Sequence, residues 1–263
     1  MSDQFEDRLE FAKKVAMQAG NRATDFFNSL GNLVIESKGA QDFVSNADRD
    51  VETLIRSEIA KTFPDDGIIG EEFEDVIGTS DFTWVIDPID GTTNFVSGIP
   101  QWCVIIACIY KDMTKIGVIY EPGADELFSA MQGNGAFLNN KPIAVSTTTS
   151  LDHGTLGVGM NGRTETISVI KFLEELTNRG GIFFRNASGG LMLCYVAAGR
   201  LIGYAEPHMN AWDCLAGQLI IAEAGGCIES QSVKDMLQAG GRVIASAPPI
   251  FEEIVAIADR AFD

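Results

Sequence analysis

The sequence is poor in the residues that soft-metal and redox sites require. It has two histidines, His153 and His208, and neither has a second ligand at metal-binding spacing, so a structural role is the preferred reading for both. Cys103, Cys108, Cys194, Cys214 and Cys227 lie in apolar surroundings, are odd in number and form no CxxC pair. That excludes a zinc knuckle and a disulfide framework, and agrees with a reducing compartment. Cations are scarce: 19 Lys and Arg face 37 Asp and Glu, a net charge of −18. Without a basic surface to neutralise a phosphate backbone, no nucleic-acid partner is expected. No apolar run approaches the roughly 20 residues that span a membrane. The longest, residues 102–110, has nine. The opening MSDQFEDRLEFAKK is polar and acidic rather than signal-like, so a cytoplasmic location without membrane contact is expected.

What the chain does have is a large apolar share and a concentration of acids at particular places. With 263 residues, 46% of them hydrophobic, it can bury a large core as one domain or two joined halves. The densest chemistry lies in WVIDPIDGTTNF, residues 84–95. Trp84, Val85 and Ile86 read as a buried strand, and Pro88 pushes Asp87 towards extended backbone, so the strand is predicted to run to Asp87 and then turn. Asp87 and Asp90 then stand at its carboxyl end. Gly91 lets a ligand approach the backbone, and the amides of Gly91, Thr92 and Thr93 are candidates for an anion-binding helix start.

Two other readings of this segment fail on spacing. A haloacid-dehalogenase-type nucleophile needs Asp-x-Asp, whereas Pro88 and Ile89 both intervene here, and an EF-hand beginning at Asp87 would find Gly98 where its bidentate Glu belongs. Hard metal ions held against a phosphate remain. Glu71 and Glu72 end a second apolar run, and Asp213 opens a long apolar helical segment. Cys194 and Arg200 match a Cys-x5-Arg phosphatase loop formally, but the residues between them continue a helical pattern, so Cys194 reads as core.

Helical spacing covers residues 4–30 and 46–62. Strands follow at 68–70, 82–87, 102–110, 115–121 and 126–131, with short connections that predict an antiparallel meander. Past a Thr/Ser-rich bridge at 146–150, strands at 154–160, 182–184, 201–205 and 243–246 alternate with helices at 165–177, 189–198, 212–224 and 249–261. The expected organisation is an amino-terminal α+β half, 1–145, and a carboxyl-terminal α/β half, 146–263, in one compact unit.

Three motifs, GEE at 70–72, DPIDGTTNF at 87–95 and WDCLAG at 212–217, resemble the signatures of the inositol monophosphatase family in order and separation. The resemblance extends over nearly the whole chain, including Asp48 and the GQLIIAEAGG stretch at 217–226. It implies an α/β fold of α+β type, the five-layer αβαβα sandwich of the inositol monophosphatase and fructose-1,6-bisphosphatase type. Glu71, Asp87, the carbonyl of Ile89, Asp90 and Asp213 are implied as ligands for two or three Mg2+ ions. The catalytic set it implies is Asp48, Thr92 and Glu71, with Asp48 and Thr92 orienting an attacking water. Gly91, Thr92, Thr93, Ser188, Gly189, Glu206 and Asp213 would contact the substrate.

The activity implied is hydrolysis of a sugar or polyol monophosphate, such as myo-inositol 1-phosphate, by direct attack of a metal-activated water. A homodimer is implied as well. Thr93, Asn94 and Phe95 resemble the inositol monophosphatase branch, whereas Asn210 and Ala211 depart from the His-Cys pair of its animal members and put myo-inositol selectivity in doubt. Histidinol phosphate, fructose bisphosphate and NADP stay open as substrates. So does a role as an interaction protein in transcription or ribosome maturation, which some bacterial members of the family have.

Overall fold

The computed structural model describes residues 2–39 and 42–262. In chain order the first part comprises α1 (Ser2–Phe27), β1 (Ile35–Gly39), β2 (Asp42–Ser45), α2 (Asn46–Thr62), β3 (Gly67–Gly70), β4 (Phe82–Asp90), the short α3 (Thr92–Val96), β5 (Cys103–Tyr110), β6 (Met113–Glu121), β7 (Glu126–Met131), β8 (Ala136–Leu138) and β9 (Lys141–Pro142). The second comprises β10 (Thr155–Val158), α4 (Thr166–Asn178), β11 (Ile182–Phe184), α5 (Gly189–Ala197), β12 (Gly203–Met209), α6 (Ala211–Glu223), β13 (Cys227–Ile228), α7 (Val233–Ala239), β14 (Gly241–Ser246) and α8 (Phe251–Phe262). Among the described residues, β3 to β9 form one sheet in sequence order. A second sheet runs β11-β10-β12-β14-β13.

Burial explains the layering. Along β4, Trp84 and Ile86 join a core shared with α1 and α2, while Val85 between them joins the core around α5 and α6. The first sheet is therefore apolar on both faces, which is why its strands read as unbroken hydrophobic runs. Helices α5 and α6 are buried nearly all round and lie between the two sheets, as expected of helices without a polar face. A third core packs α4 and α8 against the far face of the second sheet. The result is an αβαβα sandwich.

Two expectations for the first sheet change, and in the second the strand expected at 201–205 runs instead over Gly203–Met209. The strand predicted to stop at Asp87 continues to Asp90, because a bulge accommodates Pro88 and Ile89: Asp87 lies opposite Ile105 and Asp90 opposite Cys103, three steps on β4 against two on β5. A bulge is where a proline, lacking an N–H, is tolerated inside a sheet. The meander is also incomplete, since β3 pairs with β4 in parallel and the chain must travel back through residues 71–81 between them. The β1–β2 hairpin, β8, β9, β13 and α7 are further elements that periodicity did not reveal; each is short.

The backbone of α6 comes close to the first sheet at Gly117 on β6. A Cβ there would lie 2.6 Å from the Ala216 carbonyl oxygen and 3.0 Å from its Cα, both backbone atoms of α6. Gly117→Ala must push α6 off the sheet, and overpacking of this kind costs about 1–3 kcal/mol. Urea unfolding is expected to show a correspondingly lower midpoint with an unchanged slope.

Candidate active site

The bulge in β4 has a chemical consequence. Residues three apart on a regular strand point to opposite faces, and the extra residue resets the alternation so that Asp87 and Asp90 converge. Asp213 joins them from α6, and one carboxylate oxygen from each of the three lies within 4.8 Å of the others. Glu71, at the tip of β3, stands beside this group; after burial, its charge is the largest influence on Asp87.

Each acid is held by a local device. Asp87 Oδ1 accepts the Ile89 N–H at 2.9 Å. Asp90 is gripped by the start of α5: Oδ2 accepts Ser188 Oγ at 2.6 Å and the Gly190 N–H at 2.7 Å, and Oδ1 accepts the Gly189 N–H at 3.3 Å. The Cys103 thiol also points at Oδ2, at 3.5 Å. Asp213 occupies the third position of α6 and turns Oδ2 back to the Asn210 N–H at 3.0 Å and Asn210 Nδ2 at 3.1 Å. Asp48 does the same on α2, where Oδ2 accepts the Ser45 N–H at 2.8 Å and Ser45 Oγ at 2.6 Å.

That leaves Asp48 Oδ1, which faces Thr92 Oγ1 at 3.4 Å; the same hydroxyl lies 3.1 Å from the Ile89 carbonyl. Gly91 precedes Thr92 with φ +94°, a left-handed conformation that L side chains rarely adopt, and it starts α3 with Thr92 and Thr93 in the first turn. Their amides have no intrahelical partner.

Ser188 and Gly189, expected to line a substrate pocket, both bond Asp90, Ser188 from a fully buried position. Glu206, on β12, is held by the Tyr204 hydroxyl and by Asn161 Nδ2 at 3.1 Å. Asn161 was not singled out from sequence, and Asn94 was read only as a marker of the family branch; its Nδ2 donates to the carbonyls of Gln101 at 2.7 Å and Asn186 at 2.5 Å. Asn161 is a generic polar residue between β10 and α4 and Asn94 a buried one inside α3, and only their partners show what each holds. Cys194 is buried within α5, its thiol pushed far up by burial, while Arg200 pairs with Glu126 at 2.5 Å. There is no thiol–guanidinium cradle here. His208 Nε2 bonds the Ala239 carbonyl oxygen at 2.8 Å.

Burial of like charges raises the acids' pKa values together. It pushes Asp213 up to about 7, with Asp90 adding to the effect, Glu206 to about 7 and Asp48 to about 6. Asp87 is driven well above the usual range, first by burial and then by Glu71, Asp90 and Asp213. Asp90 is raised by burial, with the bonds from Ser188 and Gly190 opposing the shift. An all-oxygen set of converging, mutually repelling carboxylates fits a hard divalent cation.

A five-layer αβαβα sandwich with an acidic cluster at the junction of its two sheets defines a class of fold. The chain belongs to the inositol monophosphatase family, whose model matches residues 4–261. It is 38% identical over 250 residues to the Nus factor SuhB of Pasteurella multocida and 36% identical over 251 residues to that of Escherichia coli K12, with 94% of each chain covered in both cases. Among solved structures it resembles the extragenic suppressor protein suhB of Bartonella henselae, with a TM-score of 0.91, 33% identity, and 97% of this chain and 99% of that one covered. It also resembles an IMPase of Thermotoga maritima, with a TM-score of 0.87, 31% identity, and 97% and 98% covered. Among the described residues, no helix is long and apolar enough to cross a membrane.

The raised carboxyl pKa values set a sign. The folded, ion-free protein binds more protons than the unfolded chain between about pH 4 and 7, so these acids cost nothing below that window and most above it. Thermal unfolding in chelator is expected at a lower temperature at pH 8 than at pH 5.5, with magnesium raising it more at pH 8. Asp213→Asn should flatten both dependences. Cys194→Ser, by contrast, should leave the magnesium response unchanged; its loss in a folded variant would contradict a purely packing role.

Proposed function

We propose that this protein is a magnesium-dependent phosphomonoesterase that hydrolyses a sugar or polyol monophosphate, of the myo-inositol 1-phosphate kind, to the alcohol and inorganic phosphate. The observation that carries the reading is the convergence of Asp87, Asp90 and Asp213 within 4.8 Å beside the Thr92–Asp48 pair. These three, with Glu71 and the Ile89 carbonyl, would hold two or three Mg2+ ions. When bound, magnesium would neutralise the phosphate, acidify a water and stabilise the departing alkoxide.

The chain's own groups do the orienting. Thr92 Oγ1 has one proton to donate; given to Asp48 Oδ1, it leaves the hydroxyl oxygen free to accept from a water and fix its direction. Asp48, pushed up to about 6 by burial, is a base matched to neutral pH. The amides of Gly91, Thr92 and Thr93 offer donors to phosphate oxygens. Glu206, fixed by Tyr204 and Asn161, recognises a substrate hydroxyl, with Asp213 and Gly189 bordering the same space. Ser188 acts through Asp90.

A homodimer is part of the proposal. Ile182 and Phe183 on edge strand β11 are 61% and 52% exposed, and Ile167 and Ile170 on neighbouring α4 are 49% and 52% exposed, so apolar side chains are exposed around one sheet edge, which supports pairing with a second copy. The names of the Nus factor relatives favour a second reading, in which the protein also serves transcription by protein contact. Complementation of a deletion strain by Asp90→Asn separates the two: rescue favours the contact role, failure favours chemistry.

Phosphate release with magnesium across inositol 1-phosphate, histidinol phosphate, fructose 1,6-bisphosphate and NADP tests the main reading, and no release from any of them would sink it. Asp90→Asn is expected to weaken magnesium binding and abolish turnover together. Thr92→Ala should bind magnesium and substrate normally while turnover falls roughly 10²-fold, because its role lies in the transition state. Calorimetry and steady-state kinetics on both variants distinguish a ligand from a water-orienting group.

A further inference from the structure

Helix α2 presents Asp48, Glu52 and Arg56 at four-residue intervals, along one face. Glu52 is completely buried, yet no step of the proposed hydrolysis uses it. Its Oε2 accepts the Glu72 N–H at 2.9 Å, and its Oε1 accepts Arg56 Nε at 2.7 Å. Arg56 in turn donates from Nη1 to the Glu74 carbonyl and from Nη2 to the Phe73 carbonyl, each at 3.1 Å. The chain passes over this pair at Gly70, where a Cβ would lie 2.3 Å from Glu52 Oε1 and 3.0 Å from Arg56 Nη2. Three features of one short segment, the missing side chain at 70, the amide of 72 and the carbonyls of 73 and 74, are thus shaped around one ion pair whose carboxylate is buried and whose guanidinium is partly so.

Stability alone does not account for that arrangement. Desolvating two charges costs as much as their attraction returns, and apolar residues of the same volume generally serve a core as well or better. What the pair supplies is direction, since a planar guanidinium holds two carbonyls at once and a charged carboxylate makes a strong acceptor for one chosen amide.

We propose that Glu52 and Arg56 are positioning residues that hold the backbone of segment 70–74 so that Glu71 meets Asp87 at the acidic cluster. The inference rests on reading that cluster as a magnesium site. One face of α2 then sets two parts of the site: Asp48 orients Thr92, and one turn later the ion pair orients the Glu71–Glu72 tip. The proposal requires both to be fixed before any ion arrives.

The test compares wild type, Glu52→Gln, Arg56→Lys and a remote control, Arg260→Lys, by magnesium calorimetry and by the magnesium dependence of phosphate release. Glutamine keeps an acceptor for the Glu72 amide but loses the charge that faces Arg56; lysine keeps a charge but cannot span both carbonyls. Both variants are expected to bind magnesium at least about tenfold more weakly, as loss of a group that orients a metal ligand does. The magnesium concentration for half-maximal rate should rise by a similar factor, with kcat at saturating magnesium restored to within about twofold. The control should match wild type. Folded variants with wild-type magnesium affinity would remove the clamp and leave the metal site standing, whereas a wild type that takes up no magnesium would remove both. Hydrogen exchange on the wild type needs no variant to fold: slow exchange of the Glu72 amide before magnesium is added supports a preset segment, and fast exchange that magnesium then suppresses overturns it.

Discussion

The geometry of the cleft depends on the grip of α5 on Asp90. The carboxylate belongs to β4, but three of its donors, Ser188 Oγ and the amides of Gly189 and Gly190, come from about a hundred residues later in the chain. The first amides of a helix need acceptors, and here a side chain from another layer supplies one. A single interaction thereby fastens the middle helices to the first sheet at the point where charge must be concentrated. Asp213 follows from it, because α6 packs against α5 and carries its own acid to the same place. Asn94 reinforces the junction by bonding the Asn186 carbonyl just ahead of α5.

The cluster is maintained against electrostatics. Asp87, Asp90, Asp213, Asp48 and Glu206 are all shifted towards their neutral forms by burial, so gathering their charges costs free energy where function is proposed. Three large apolar cores absorb that cost. Two of the acids share a common economy: Asp48 and Asp213 sit at the third position of a helix and give one oxygen to the turn before it, which orients the other without any further scaffold.

How far the sequence could be read follows the range of each interaction. Helix α2 was legible to the residue because the spacing of Val51, Leu54, Ile55 and Ile59 and the stop at Pro64 are local signals. Helices α5 and α6 were legible as continuous apolar stretches. The end of β4 was misplaced because Pro88 reads locally as a stop, and only pairing with β5 shows a bulge. The parallel partnership of β3 with β4 was equally hidden, since a short connection suggests a hairpin and residues 71–81 do not announce a return across the sheet. At the site, acids in a distinctive local pattern were found, whereas Asn161, Glu52 and Arg56 carry no pattern and draw their significance from partners distant in sequence or from a neighbouring strand tip.

By itself the sequence determined the chemistry available: many carboxylates, hardly any imidazole, buried thiols, and a Gly-Thr-Thr turn beside paired acids. Those are properties of side chains and of short-range backbone preference, which need no fold to be read. Tertiary structure alone decided which of the 37 acids meet. Convergence of Asp87, Asp90 and Asp213 requires a bulge set by a neighbouring strand and a helix delivered from the other half of the chain, and those are long-range packing outcomes that no local pattern encodes.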